Sequence, residues 1–226
     1  ADNYARGASE AIIGEVMADA GIRNTIFLAT KVNARGKEAG RANIEASFKK
    51  LRADKIDLYY VHNLVDTDNQ LATLMELKQA GRIRYVGISI SSDNQYSELE
   101  SRMRNNPLDF VQIDYAINNR EVEERILPLA IERKIAVVTN LPFGRASLFR
   151  AVGDRPLPDW AAEFDCSTWA QFFLKYNVSH PAITAAIPGT TQPKHLVDNI
   201  QGARGRLPDA ATRSRMEQLI GSFGTA

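Results

Sequence analysis

Apolar residues recur along the chain in short continuous runs, and the segments between the runs carry them at helical spacing instead. The runs TIFLATKV (25–32), IDLYYVHN (56–63), YVGISI (85–90), FVQIDYA (110–116), IAVVTNL (135–141) and AITAAIPG (182–189) predict six strands. Between them the spacing predicts helices over 8–20, 38–53, 69–80, 93–104, 120–133 and 167–178. Strands that are apolar throughout, alternating with helices, indicate a parallel sheet covered by helices, either doubly wound or closed into a barrel. GRASLFRAV reads as a short helix, and Trp169, Phe172, Phe173 and Tyr176 as a core stripe. DAATRSRMEQLIGSF reads as a final helix with Leu219 and Ile220 inward.

Polarity enters these runs at their C-terminal ends: Lys31, His62, Ser89, Gln112 with Asp114, Asn140, and Thr190 just past the last run. A (β/α)8 barrel builds its active site from that end of its strands. No GxGxxG follows the first strand, and no GxxxxGK[ST] phosphate loop occurs, which favours the barrel over a dinucleotide-binding doubly wound sheet. Six βα units leave two strands of such a barrel unaccounted for, expected upstream of Ala1. The domain expected is therefore one N-terminally incomplete TIM barrel over residues 1–226.

The 28 Lys and Arg against 27 Asp and Glu, in a 44% hydrophobic chain, give no electrostatic bias toward nucleic acid or anionic membrane. Cys166 is the only cysteine, so neither an intrachain disulfide nor a cysteine metal cluster is available, and no metal is expected. A cytoplasmic protein, monomeric or weakly self-associating, fits. Taken singly, Lys31 reads as a strand-end lysine reaching solvent, His62 equally as a core imidazole, and Tyr4 as a half-buried aromatic ahead of a helix. The stretch ITAAIPGTTQPKHLVDN turns from strand to helix through small hydroxylated residues, a common way to place helix-start N–H groups beside an anion.

Taken together and in order, ADNYARGASEAIIG, FLATKV, IDLYYVHN, GRIRYVGIS, FVQIDYAINNR, VVTNLPFGR and IPGTTQPKHLVDN resemble the aldo-keto reductases over essentially the whole chain. That resemblance implies reduction of aldehyde or ketone carbonyls to alcohols with NADP(H). Tyr4 would be the proton donor, Lys31 the cation that lowers the phenol's pKa, and His62 the group that orients the carbonyl oxygen. It implies cofactor contacts from Ser89, Gln112, Asn140, Leu141, Phe143, Gly189, Thr190, His195, Asp198 and Asn199. The family's lysine-pairing carboxylate would fall three residues before Ala1, and an ungapped reading would put Arg6 in place of Tyr4.

Some positions depart from the family pattern. Ile90 stands where Asn or His is usual, and Asn140 where many members stack a tyrosine on nicotinamide. Gly189 and His195 replace a Lys and an Arg that grip the 2′-phosphate. A histidine is a weaker, pH-dependent anion ligand than a guanidinium, so NAD(H) is kept beside NADP(H). Two other readings stand next to the reductase: a non-catalytic NADP(H)-binding regulator on the same fold, and a lyase using Lys31 as a Schiff-base amine.

Overall fold

The computed structural model describes residues 3–224, so Ala1, and with it the start of the ADNY match, lies outside the described residues. The chain divides into two compact units, one running to Ile90 with Asn105–Val111 added, the other made of Ser91–Arg104 and the chain from Gln112 onward.

The first unit alternates α1 (Ser9–Ala20), β1 (Ala29–Val32), α2 (Lys37–Leu51), β2 (Ile56–His62), α3 (Thr67–Gln79) and β3 (Ile83–Ser89). Its strands lie in the order β1-β2-β3 and are parallel, with Lys31 opposite Tyr60 and His62 opposite Ser89. Every residue of β2 except Asp57 is buried, as a parallel strand covered on both faces must be. The run read as a strand from residue 25 enters the sheet only at Ala29. Arg23–Thr25 form a 3-10 turn, and the Leu28 N–H donates to the Asp57 carboxylate at 2.9 Å instead of to a neighbouring strand.

Helix packing in this unit depends on missing side chains. On α1 the buried positions are Glu10, Gly14 and Met17. A Cβ on Gly14 would collide with the Lys50 carbonyl oxygen and lie 2.8 Å from the Leu51 carbonyl carbon, so only glycine lets α1 approach α2 this closely. Gly40 of α2 leaves the same kind of room for Gln70 of α3, whose amide donates to the carbonyls of Ala34 (3.1 Å) and Gly36 (3.2 Å).

The second unit contains α4 (Tyr96–Asn105) except its last residue, most of β4 (Phe110–Asp114), α5 (Ile126–Arg133), β5 (Ala136–Asn140), α6 (Ser147–Val152), α7 (Trp169–Val178), β6 (Ile183–Ala186), α8 (Pro193–Gln201) and α9 (Ala210–Gly221). The strand order is β4-β5-β6, and β5 and β6 are parallel. The helix expected over 120–133 is split into a 3-10 turn, Glu121–Glu123, and α5, because Pro128 has no N–H and belongs in a helix's first turn. β6 ends at Ala186, two residues before Pro188, which has no N–H for a ladder.

Phe172, Phe173 and Tyr176 of α7 are fully buried, with Trp169 half-buried among them. Asn177, also fully buried, accepts from Thr139 Oγ1 at 2.6 Å and donates to the Tyr115 carbonyl at 2.7 Å, tying α7 to β5 and to the end of β4. On α9 the buried residues are Met216 and Ile220, while Leu219 is only half-buried.

Candidate active site

β-strand alternation sets the first part of the site. Lys31 pairs with Tyr60, His62 lies two residues beyond Tyr60, and Ser89 pairs with His62, so all four side chains share one face of the β1-β2-β3 sheet. Lys31 and His62 are buried, and each sits at or beside the C-terminal end of its strand. Tyr4 comes from outside the sheet, in a 3-10 turn over Tyr4–Gly7 that leads into α1. Ala5 (φ 50°) and Arg6 (φ 56°) are left-handed there, a conformation that costs about 1 kcal/mol or more for each non-glycine residue.

The three residues meet. The Lys31 Nζ donates to the Tyr4 hydroxyl at 2.7 Å and lies 4.9 Å from the centre of its ring. The His62 ring stands edge-on to the Tyr4 ring, 5.9 Å between centres. Tyr4 is 45% exposed, so its phenol is open to a ligand while its ammonium partner is not. The arrangement is a solvent-accessible acid whose oxygen already faces a buried positive charge, with an imidazole alongside. The opposite assignment, Arg6 at the tyrosine position, has no such contact with Lys31 among the described residues.

Ser89, the last residue of β3, is buried, and its hydroxyl donates to the Val61 carbonyl at 3.4 Å. Tyr60, unremarked in the sequence, shares the face of Lys31 and His62. Burial pushes its phenol well above the ordinary range, and its hydroxyl has no hydrogen-bond partner among the described residues.

The second unit gathers its predicted residues at the C-terminal ends of neighbouring strands. Gln112 of β4 is buried, and its Oε1 has no partner among the described residues. Two residues on, burial and the nearby Asp93 push the Asp114 carboxyl up to about 6, against the smaller opposing pull of Arg145 and Asn119. Asn140 ends β5 and is followed by a left-handed Leu141 (φ 52°). Phe143 is half-buried against Phe149 (5.0 Å between ring centres) and Phe173 (6.5 Å), which ties it into the aromatic core.

After β6, Gly189 has open space around it, and the Thr190 hydroxyl accepts from the Gln192 N–H at 3.2 Å, forming the turn into α8. Pro193 opens that helix, where a missing N–H costs nothing. His195 is exposed and Asn199, one turn on, is buried. Asp198 has both oxygens engaged on the start of α7, accepting from Thr168 Oγ1 at 2.9 Å and Gln171 Nε2 at 2.6 Å. Its carboxylate therefore holds α8 to α7. Among the described residues no helix is long and apolar enough to cross a membrane, and no group of three or more His, Cys, Asp or Glu could hold a metal ion.

A model of the aldo/keto reductase family matches residues 1–217. The chain belongs to the aldo/keto reductase family. Members of that family are oxidoreductases, and the α/β barrel class expected from the strand and helix rhythm is the family's fold. Aldo-keto reductase YhdN of Bacillus subtilis (strain 168) is 36% identical over 154 residues, 62% of this chain and 45% of that protein, so the match spans under half of YhdN. The Schizosaccharomyces pombe protein named aldo-keto reductase yakc [NADP(+)] is 26% identical over 261 residues, 96% of this chain and 76% of its own.

Among solved structures, the holo form of the aldo-keto reductase AKR11C1 from Bacillus halodurans superimposes with a TM-score of 0.77. It is 25% identical and covers 96% of this chain and 80% of its own. The Klebsiella pneumoniae aldo-keto reductase in complex with NADPH, 23% identical, has a TM-score of 0.80 over 97% of this chain and 78% of its own, and bears on the fold alone.

Proposed function

We propose that this aldo-keto reductase reduces the carbonyl of small aldehydes or ketones to an alcohol with NADP(H), residues 1–226 acting as one catalytic domain. The contact that carries the reading is the 2.7 Å hydrogen bond from Lys31 to the Tyr4 hydroxyl, with His62 beside it. NADPH, when bound, supplies the hydride that goes to the carbonyl carbon. The carbonyl oxygen then needs a proton, and Tyr4 gives up its phenolic one. As that proton leaves, negative charge grows on an oxygen that the buried Lys31 ammonium already faces, in a partly buried setting where the attraction is stronger than in bulk water. His62, on the same sheet face, orients the carbonyl oxygen toward Tyr4.

The residues present fit the cofactor. The unpartnered Gln112 Oε1 is a buried acceptor suited to an amide donor such as a carboxamide. The Thr190 turn and the start of α8 offer N–H groups and a hydroxyl to a phosphate, with His195 exposed beside them. Yakc carries NADP(+) in its name, which favours NADP(H) over NAD(H). Asp198, held by α7, serves here by placing α8, and Asn199 is the member of the pair assigned to the adenosine end. The reading places the enzyme in the cytoplasm as a monomer or weak homo-oligomer.

The test is Tyr4→Phe. It should lower carbonyl-reducing turnover by about 100-fold or more while leaving cofactor binding within about twofold, because it deletes the acid and little else. Near-full turnover in that variant sinks the reading. Lys31→Met should be comparably severe.

A further inference from the structure

The Tyr4 turn does not hold itself in place. None of its residues is buried, three successive residues have positive φ, and Tyr4 itself is half exposed. Its placement against Lys31 must come from α1, which begins two residues after the turn. Yet α1 presents little apolar surface to the protein: Ile12, Ile13 and Val16 are exposed, and Met17 is the one large apolar side chain buried along it.

What α1 does bury is a carboxylate. Glu10 is 1% exposed. Its Oε1 accepts from Thr30 Oγ1 of β1 at 2.6 Å, its Oε2 from Ser47 Oγ of α2 at 3.1 Å, and Lys50 Nζ lies 4.0 Å from Oε2. A buried carboxylate is tolerated only when its oxygens are satisfied in this way, and removing one partner leaves it uncompensated.

Thr30 is the residue before Lys31, and adjacent strand residues point to opposite faces. The same two segments are thus stapled twice, by Glu10 with Thr30 on one face of β1 and by Tyr4 with Lys31 on the other. We infer that Glu10 is a positioning residue for the proton donor, fixing through Thr30 the distance at which Tyr4 meets Lys31; this rests on the reductase reading above. Glu10 touches no reacting atom, and its effect on chemistry runs through Tyr4.

The test uses Glu10→Gln and Thr30→Val, with Thr30→Ser as the variant that keeps the hydroxyl. Turnover of a test aldehyde at saturating NADPH and the NADPH dissociation constant are measured for each, alone and combined with Tyr4→Phe. Glu10→Gln and Thr30→Val should each lower kcat by about tenfold to hundredfold with NADPH affinity within about twofold, since misplacement on the order of 1 Å is felt at this scale. Thr30→Ser should recover most of the loss. In the Tyr4→Phe background neither substitution should lower the residual rate further, because the group they position is gone.

Wild-type kcat in both folded variants overturns the inference. So does the same fold-loss repeated on top of Tyr4→Phe, which marks a general structural role, and so does failure of both to give folded protein. If Tyr4→Phe itself retains full turnover, the reductase reading falls and the inference with it. If Tyr4→Phe is inactive while the others run normally, only the inference falls.

Discussion

Gly14→Ala sets two effects of opposite sign against each other. In a helix interior alanine is better than glycine by about 1 kcal/mol, so propensity alone raises stability. The structure opposes this. The new Cβ would sit on the Lys50 carbonyl oxygen, 2.8 Å from the Leu51 carbonyl carbon and 2.9 Å from its Cα, all main-chain atoms of α2 that cannot rotate away. To reach ordinary contact α1 must withdraw by about 1 Å, and overpacking of this kind costs about 1–3 kcal/mol, here near the upper end. The net expectation is a loss of about 2 kcal/mol, which for a domain of this size lowers Tm by about 4–8 °C. Because α1 also carries Glu10 and follows Tyr4, the withdrawal stretches both staples to β1, and kcat for aldehyde reduction should fall with Tm. Thermal unfolding followed by circular dichroism and steady-state turnover read the two effects separately. A Tm raised by the propensity gain, with unchanged kcat, would refute the argument that backbone contact governs this helix pair.

Asp114 predicts a pH-dependent gain. Its folded pKa of about 6 lies above the ordinary 3.8, so the folded state binds the proton more tightly than the unfolded one, and ionisation disfavours folding. That penalty is absent below about pH 4, grows through the window and is complete above about pH 6, so Asp114→Asn should raise Tm at about pH 7.5 and not at about pH 4. A gain of equal size at both pH values would point to packing instead. For the cofactor, Asn199→Ala or Thr190→Ala should weaken NADPH binding severalfold more than it lowers turnover at saturation, and an unchanged NADPH titration in both would reduce the turn before α8 to a connector.

The rhythm of strands and helices was legible in the sequence because both repeats are local. The boundaries of β2, β3 and β5 fall within two residues of the apolar runs that predict them. The placement of Lys31, His62 and Ser89 on one sheet face was nearly so, since strand-end position and alternation carry it once the strands lie parallel in register. Other features had no local signature. Nothing in FLATKV says that the Leu28 N–H goes to an aspartate 29 residues away, which shortens β1, or that Glu10 turns inward to meet Thr30 and Ser47. Glu10 stands in a sequence context that suits an ordinary first-turn acid, and Asp198 in one that suits a ligand contact. The first is buried between three elements and the second is held by α7. Periodicity records which way a side chain points from its own backbone. Which groups from distant parts of the chain it finds there is settled only when the elements pack, because a buried polar group must be satisfied by whatever donors and acceptors the fold brings within reach.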